Sequence, residues 1–216
     1  MPNTFVLGDM PLFSYQASDA QAVMNALRFL KDADVDAIKL EGGVRITSRI
    51  RAITAADINA MGHIGLKPQS SGQLGGHNAQ GRTAKAAKLV LEDALAVQEA
   101  GARMLLIEAV PPEVTKYIWE TLEIPVLFIG AGPHCDGQLP IVSDLIGQFQ
   151  AFSPKFVKKY CNVAEVITNA MEEYCKNVRS GRFPSEEHCY QMIAGEEEKF
   201  KELVGAKKVP AQTHNS

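Results

Sequence analysis

The stretch "VDAIKLEGG", residues 35–43, is the part of the sequence that most clearly indicates the fold. Its apolar residues predict a short buried strand, which Lys39 and Glu41 interrupt two positions apart. Because side chains alternate along a strand, Lys39 and Glu41 share one face, and Ile38 and Leu40 share the other. We therefore predict a strand with an apolar face against helices and a charged face in a polar site.

On both sides of this stretch, short apolar runs alternate with longer amphipathic ones along the chain. Six runs are strand candidates: residues 4–9, 36–41, 59–65, 103–110, 125–132 and 140–147. Strands that alternate with helices predict a parallel α/β sheet covered on both faces. Doubly wound sheets and barrels both satisfy this pattern, and no dinucleotide or P-loop motif follows a strand.

Composition limits the class of protein. The 216 residues are 46% hydrophobic and 22% charged, as expected for a globular protein with a sizeable core. A formal charge of -3 argues against a nucleic-acid binder. The sequence contains no run of about 18 apolar residues, so no membrane span is predicted. The four cysteines form no C-x-x-C pair, so we expect free thiols in the cytoplasm. We predict one domain over residues 1–204 and a disordered tail over residues 205–216.

Ionisable residues recur where the predicted strands end: Asp9, Lys39, Glu41, His63 and Glu108. In a parallel barrel these strand ends meet on one face, where catalytic groups lie. Each residue alone has a structural explanation, such as an ion pair or a core histidine. Because the pattern recurs on four strands and buried charges need partners, a shared polar site is the better hypothesis.

The mixture of side chains indicates a reaction class. Asp9 and Glu41 could hold Mg²⁺, and Lys39 could neutralise a substrate carboxylate. Glu108 follows four apolar residues, and an apolar setting favours a general base there. This combination suits proton abstraction next to a carbonyl. A rival mechanism uses Lys39 as a Schiff-base nucleophile, but Glu41 on the same face would keep the lysine charged.

The sequence resembles the ketopantoate hydroxymethyltransferase family from about residue 5 to about residue 188. The motifs that carry the resemblance, in chain order, are "LGDMPLFSY", "IKLEGG", "GHIGLKPQ", "GGHNAQGR", "PVLFIGAG", "SPKFVKKY" and "GRFPSEEH". The family is a TIM-type (β/α)8 barrel that assembles as a homo-oligomer, a decamer. It transfers a one-carbon unit from 5,10-methylenetetrahydrofolate to 3-methyl-2-oxobutanoate with Mg²⁺, giving 2-dehydropantoate in pantothenate biosynthesis.

The resemblance also implies roles for the residues at the strand ends. It makes Glu108 the catalytic base and Asp9 and Glu41 the metal ligands. Asp9, Lys39 and His63 would bind the oxo acid. A complete barrel has eight strands, whereas six are counted here, which implies an N-terminally truncated barrel of about six βα units plus C-terminal helices. The resemblance places a further strand, ending in Gly-Asp-Ser with another metal aspartate, before this sequence.

Two other functions remain open from the sequence. The chain could be an inactive or truncated family member that acts as a fragment or as an assembly or regulatory subunit. It could also be another Mg²⁺-dependent oxo-acid barrel, of the phosphoenolpyruvate mutase and isocitrate lyase kind, although the catalytic cysteine loop of those enzymes is not found. One smaller departure is Lys67, where the family more often has threonine.

Overall fold

The computed structural model describes residues 4–74, 76 and 78–205, and its centre is one parallel sheet. The strands are β1 (Leu7–Asp9), β2 (Ala37–Glu41), β3 (Ala60–Gly65), β4 (Met104–Glu108), β5 (Val126–Ile129) and β6 (Gly137–Gln138). Each strand pairs in parallel with the next one along the chain, in the order β1 to β6. A doubly wound sheet reverses its order at a switch point, whereas a barrel adds each strand beside the last. The predicted fold class, a TIM-type barrel of about six βα units, is confirmed.

Seven α-helices lie along the described residues, and the first four of them connect β1 to β5 and pack on one face of the sheet. They are α1 (Asp19–Ala33), α2 (Thr47–Ala55), α3 (Ala84–Glu99), α4 (Pro112–Thr121), α5 (Val142–Leu145), α6 (Val163–Arg179) and α7 (Glu196–Val204). Two of them have side-chain N-caps: Ser18 accepts from the amide of Gln21 before α1, and Thr83 accepts from the amide of Ala86 before α3. These caps satisfy amides that the first helical turn leaves unpaired. The two caps therefore fix the residues at which α1 and α3 begin.

The two faces of the sheet carry different side chains. The larger core joins the outward-facing residues of the strands, among them Ile38, Leu40 and Ile107, to the buried faces of α1, α2 and α3. A smaller cluster on the other face is formed by Met61, Leu106 and Ile129. Lys39 and Glu41 lie on this second face, so the predicted division of the β2 side chains is confirmed.

The predicted strand over residues 140–147 is wrong. This segment contains α5, and the sixth strand is the two-residue β6, which pairs with β5. The apolar residues of the segment recur four positions apart, which is the spacing of one helical turn. Pro140 also lacks the N–H group that a sheet ladder needs.

The chain divides into two compact units, Met1–Cys161 and Asn162–Ser216. The first contains the whole sheet with α1 to α5, and the second contains α6 and α7. The single domain expected over residues 1–204 stays a prediction. Apart from Gly205, the predicted tail lies outside the described residues. Across the described part of the chain, no helix combines the length and the apolar character needed to cross a membrane.

Candidate active site

The structure brings all five predicted site residues together at the carboxyl ends of β1 to β4. In the strand register, Asp9 lies opposite Lys39, and Glu41 lies opposite His63. Glu108 lies opposite Gly65, two positions beyond His63 on β3. Neighbouring residues in a parallel register and residues two apart on a strand share a face. The five side chains therefore project into the same space above the small apolar cluster.

Lys39 lies at the centre of the group, with its side chain 12% exposed. Its Nζ atom is 3.0 Å from Asp9 Oδ2, 3.3 Å from His63 Nδ1 and 4.0 Å from Glu41 Oε1. A carboxylate at 3.0 Å stabilises the ammonium form, which has no lone pair for attack on a carbonyl. The geometry favours a charged Lys39 that holds an anion over a Schiff-base nucleophile.

Glu41 is a buried carboxyl group, with only 6% of the residue exposed. Burial raises the pKa of Glu41 from 4.5 to about 7, against the opposing effects of the Lys39 ammonium and of a hydrogen bond from the Gln69 amide. That amide lies 3.1 Å from Glu41 Oε2. An ionised carboxylate in such a place needs more positive charge than Lys39 alone supplies.

His63 connects Glu41 and Lys39 to Glu108. Its Nδ1 atom is 3.6 Å from Glu41 Oε1, and its Nε2 atom is 3.3 Å from Glu108 Oε2. Burial lowers the pKa of His63, although the neighbouring Glu108 carboxylate opposes this effect. The ring is therefore neutral near pH 7. Glu108 itself is 8% exposed, so the base predicted from the sequence lies in a largely dry position.

Two residues that the sequence analysis did not single out hold these carboxylates in place. The buried Tyr15 hydroxyl accepts from the backbone amide of Glu41 at 3.0 Å and donates to its carbonyl at 3.2 Å. Gln69 Nε2 donates to Asp9 Oδ1 and to the Met10 carbonyl, both at 3.2 Å. Both residues lie inside the motifs "LGDMPLFSY" and "GHIGLKPQ", which were the only signal for them.

The backbone turns sharply where Glu108 ends β4. Ala109 has a φ of 50°, in the left-handed region that side chains other than glycine rarely adopt. Gly65, which lies opposite Glu108, has a φ of 83°, and a Cβ there would lie 2.4 Å from the Glu108 carbonyl oxygen. That carbonyl accepts from the Leu66 amide at 2.8 Å. Glycine at position 65 is required for the close approach of β3 to the end of β4.

The carboxylates of the site are of the ligand type that Mg²⁺ prefers. Within the described residues, no group of three or more His, Cys, Asp or Glu side chains is arranged to hold a metal ion by itself. Mg²⁺ commonly binds through one or two carboxylates, with water and substrate oxygens completing its coordination. Asp9 and Glu41 both lie beside Lys39. Glu41 is buried, and its pKa stays raised despite the nearby lysine, so a further positive charge would stabilise its ionised form. Their chemistry fits Mg²⁺ on these terms.

A cavity of about 540 Å³ opens on Glu41. Its wall includes the cationic residues Arg45, Arg49 and Lys67 and the exposed aromatic ring of Phe13. Arg49 also forms an ion pair with Asp19. A second cavity of about 540 Å³ is lined by twelve residues, which include Arg82, Ala109 and Phe156. The charged group therefore borders the first cavity through Glu41, and the second cavity begins at Ala109, the residue after Glu108.

Comparison with known proteins identifies the family. The sequence profile of ketopantoate hydroxymethyltransferase matches residues 1–186. The chain belongs to the ketopantoate hydroxymethyltransferase family. Curated relatives named 3-methyl-2-oxobutanoate hydroxymethyltransferase include one from Alkaliphilus metalliredigens, 64% identical over 197 residues, and one from Heliobacterium modesticaldum, 46% identical over 191 residues. The enzyme class and the family predicted from the motifs are thereby confirmed.

The alignments cover most of this chain and a smaller share of each relative. The alignments cover 91% and 88% of this chain and 70% and 69% of the two relatives of the ketopantoate hydroxymethyltransferase family. Among solved structures, phosphonopyruvate hydrolase aligns at a TM-score of 0.46 and 14% identity, covering 92% of this chain and 67% of that chain. An alignment this distant does not bear on activity.

Proposed function

We propose that the chain transfers a hydroxymethyl group from 5,10-methylenetetrahydrofolate to 3-methyl-2-oxobutanoate, giving 2-dehydropantoate for pantothenate biosynthesis. One observation carries the proposal: Glu108, a buried carboxyl group at a strand end, lies 3.3 Å from one ring nitrogen of His63, whose other nitrogen faces Lys39 and Glu41. That arrangement suits removal of a proton next to a carbonyl. Membership of the family supports the identity of both substrates.

Each residue has a role in the proposed reaction. Lys39 and Asp9 bind the oxo acid, and His63 lies against the same substrate. Glu108 takes the proton as the C3–H bond breaks, and the bonding electrons form the enolate. The C3 carbon then bonds to the one-carbon unit, whose two C–N bonds break, and water provides the hydroxyl oxygen. The proton held by Glu108 and one proton of the water end on the two nitrogens of the departing tetrahydrofolate. Asp9 and Glu41 would hold Mg²⁺, which when bound would supply positive charge next to the enolate.

The cavity that opens on Glu41 is the proposed site for the folate. Folates carry a flat ring system and a carboxylate tail, and the cavity offers Phe13 for stacking and Lys67 for charge. Its volume of about 540 Å³ lies within the range of small-molecule sites. A cytoplasmic homo-oligomer, with the decamer that the resemblance implies, remains part of the proposal and is tested by sedimentation velocity.

The proposed base is tested by proton exchange. In deuterated water with Mg²⁺, the chain should exchange the C3 proton of 3-methyl-2-oxobutanoate without any folate, as followed by NMR. Glu108→Gln should lower the exchange rate by about 100-fold or more, because general bases contribute typically 10²–10⁴-fold. Glu123→Gln, at an exposed position, is the matched control. Undiminished exchange in Glu108→Gln would remove Glu108 from the mechanism.

A further inference from the structure

The two ring nitrogens of His63 face different partners inside the protein. Nδ1 is 3.3 Å from Lys39 Nζ, and Nε2 is 3.3 Å from Glu108 Oε2. The residue is only 1% exposed, so water reaches neither nitrogen freely. A histidine that served only as a substrate contact would direct one nitrogen toward the substrate. Both nitrogens of His63 are instead directed at residues with proposed roles in the reaction.

Lys39 fixes which nitrogen carries the proton. A lysine ammonium can only donate hydrogen bonds, so Nδ1 must accept from it. An imidazole whose Nδ1 accepts a hydrogen bond carries its single proton on Nε2. This tautomer is assigned from the hydrogen-bond network. The N–H group that results is directed toward the carboxylate of Glu108.

The Nε2–H group is a buried donor that needs this carboxylate. Within the described residues, Nε2 has no hydrogen bond of good geometry, although Glu108 Oε2 lies at 3.3 Å. Leaving a buried donor unpaired is costly, which favours a turn of the Glu108 carboxylate toward the ring. Catalytic hydrogen bonds are often long or poorly aligned without substrate and tighten when substrate binds.

We propose that His63 is a positioning residue for Glu108, donating from Nε2 to the carboxylate while Lys39 holds the tautomer through Nδ1. This inference rests on the proposed role of Glu108 as the base. The hydrogen bond fixes the plane of the carboxylate, so the second oxygen of Glu108 is directed at the C3 proton. Lys39 then has two tasks, since it binds the oxo acid and sets the tautomer of the histidine.

Two substitutions separate positioning from substrate contact. In His63→Gln the amide nitrogen can occupy the place of Nε2 and keep the donor to Glu108. In His63→Asn the shorter side chain reaches only the place of Nδ1, so the contact with Lys39 remains and the donor is lost. His134→Asn, at an exposed histidine, is the control. The readout is C3 proton exchange of 3-methyl-2-oxobutanoate at saturating and at low concentration.

His63→Asn should lower the saturated exchange rate by about 10- to 100-fold, since a misplaced catalytic group costs up to about 10²-fold. His63→Gln, which keeps the donor to Glu108, should recover most of this loss and exchange at least about 5-fold faster than His63→Asn at saturation. Equal rates for the two variants, or a loss confined to substrate affinity, would overturn the positioning role. Absence of exchange in the wild type would instead reject the proposed function itself.

A second measurement reads the tautomer directly on the unmodified chain. With ¹⁵N-labelled histidine, NMR distinguishes a protonated from an unprotonated ring nitrogen in His63, assigned by its loss in His63→Gln. A proton on Nε2 with Nδ1 unprotonated is the result expected. A neutral ring with its proton on Nδ1 would overturn the proposal, because Glu108 would then face an acceptor.

Discussion

Replacing Glu41 by glutamine should change how the stability of the protein depends on pH. Burial raises the pKa of this carboxyl group from 4.5 to about 7, so the folded state binds more protons than the unfolded state between those values. Unfolding then releases protons, and the free energy of unfolding contributed by this group falls as the pH rises. Glutamine has nearly the same shape and no charge, so it removes this dependence.

The magnitude follows from the two pKa values. Their difference of 2.5 corresponds to about 3 kcal/mol once the group is fully ionised in both states, at ~1.4 kcal/mol per pKa unit. Between pH 5 and pH 8, roughly 2–3 kcal/mol of unfolding free energy should be lost in the wild type and kept in Glu41→Gln. The lysine at 4.0 Å is already included in this pKa, since it acts against the effect of burial.

The assay is urea unfolding at fixed protein concentration from pH 5 to pH 8, with EDTA present so that no divalent cation binds Glu41. Other groups titrate over the same range, so the informative quantity is the wild-type value minus the variant value at each pH. Glu123→Gln, at an exposed carboxylate, serves as the control. If that difference between the wild type and Glu41→Gln does not change with pH, then Glu41 is not the buried, proton-binding carboxyl group described above.

Three further predictions concern the surroundings of the site. Tyr15→Phe leaves the buried amide and carbonyl of Glu41 without their partner, so it should cost about 3 kcal/mol in urea unfolding, whereas the exposed Tyr117→Phe should cost almost nothing. Lys67→Thr removes a cation from the cavity wall and should raise the KM for the folate several-fold in steady-state assays, with kcat within about 3-fold. Ala109→Gly relieves a left-handed backbone position and should raise the free energy of unfolding by about 1 kcal/mol; an unchanged value would mean that the turn carries no strain.

Much of the sheet could be predicted because long apolar runs mark buried parallel strands. The strands that end at Glu41, Gly65 and Glu108 were located to within two residues. The two-residue β6 could not be located, because so short a strand has no pattern of its own. The apolar spacing over residues 140–147 fits a helical turn as well as a strand, and backbone hydrogen bonds decide between them.

The charged residues of the site could be predicted from the sequence, whereas the residues that hold them in place could not. Asp9, Lys39 and Glu41 were found because charges at the ends of apolar strands are costly unless they share a site. Tyr15 and Gln69 bind backbone atoms and carboxylates across the fold, and such contacts leave no periodicity in the sequence. The separate partners of the two His63 nitrogens likewise depend on distances between three strands.

The most direct test of the account is product formation by the purified chain. Incubated with 3-methyl-2-oxobutanoate, 5,10-methylenetetrahydrofolate and Mg²⁺, it should form 2-dehydropantoate, detected by NMR, at a rate that falls by about 100-fold or more in Glu108→Gln and is unaffected in Glu123→Gln. A folded chain that forms no 2-dehydropantoate under these conditions, or that forms it equally well without Glu108, would contradict the account.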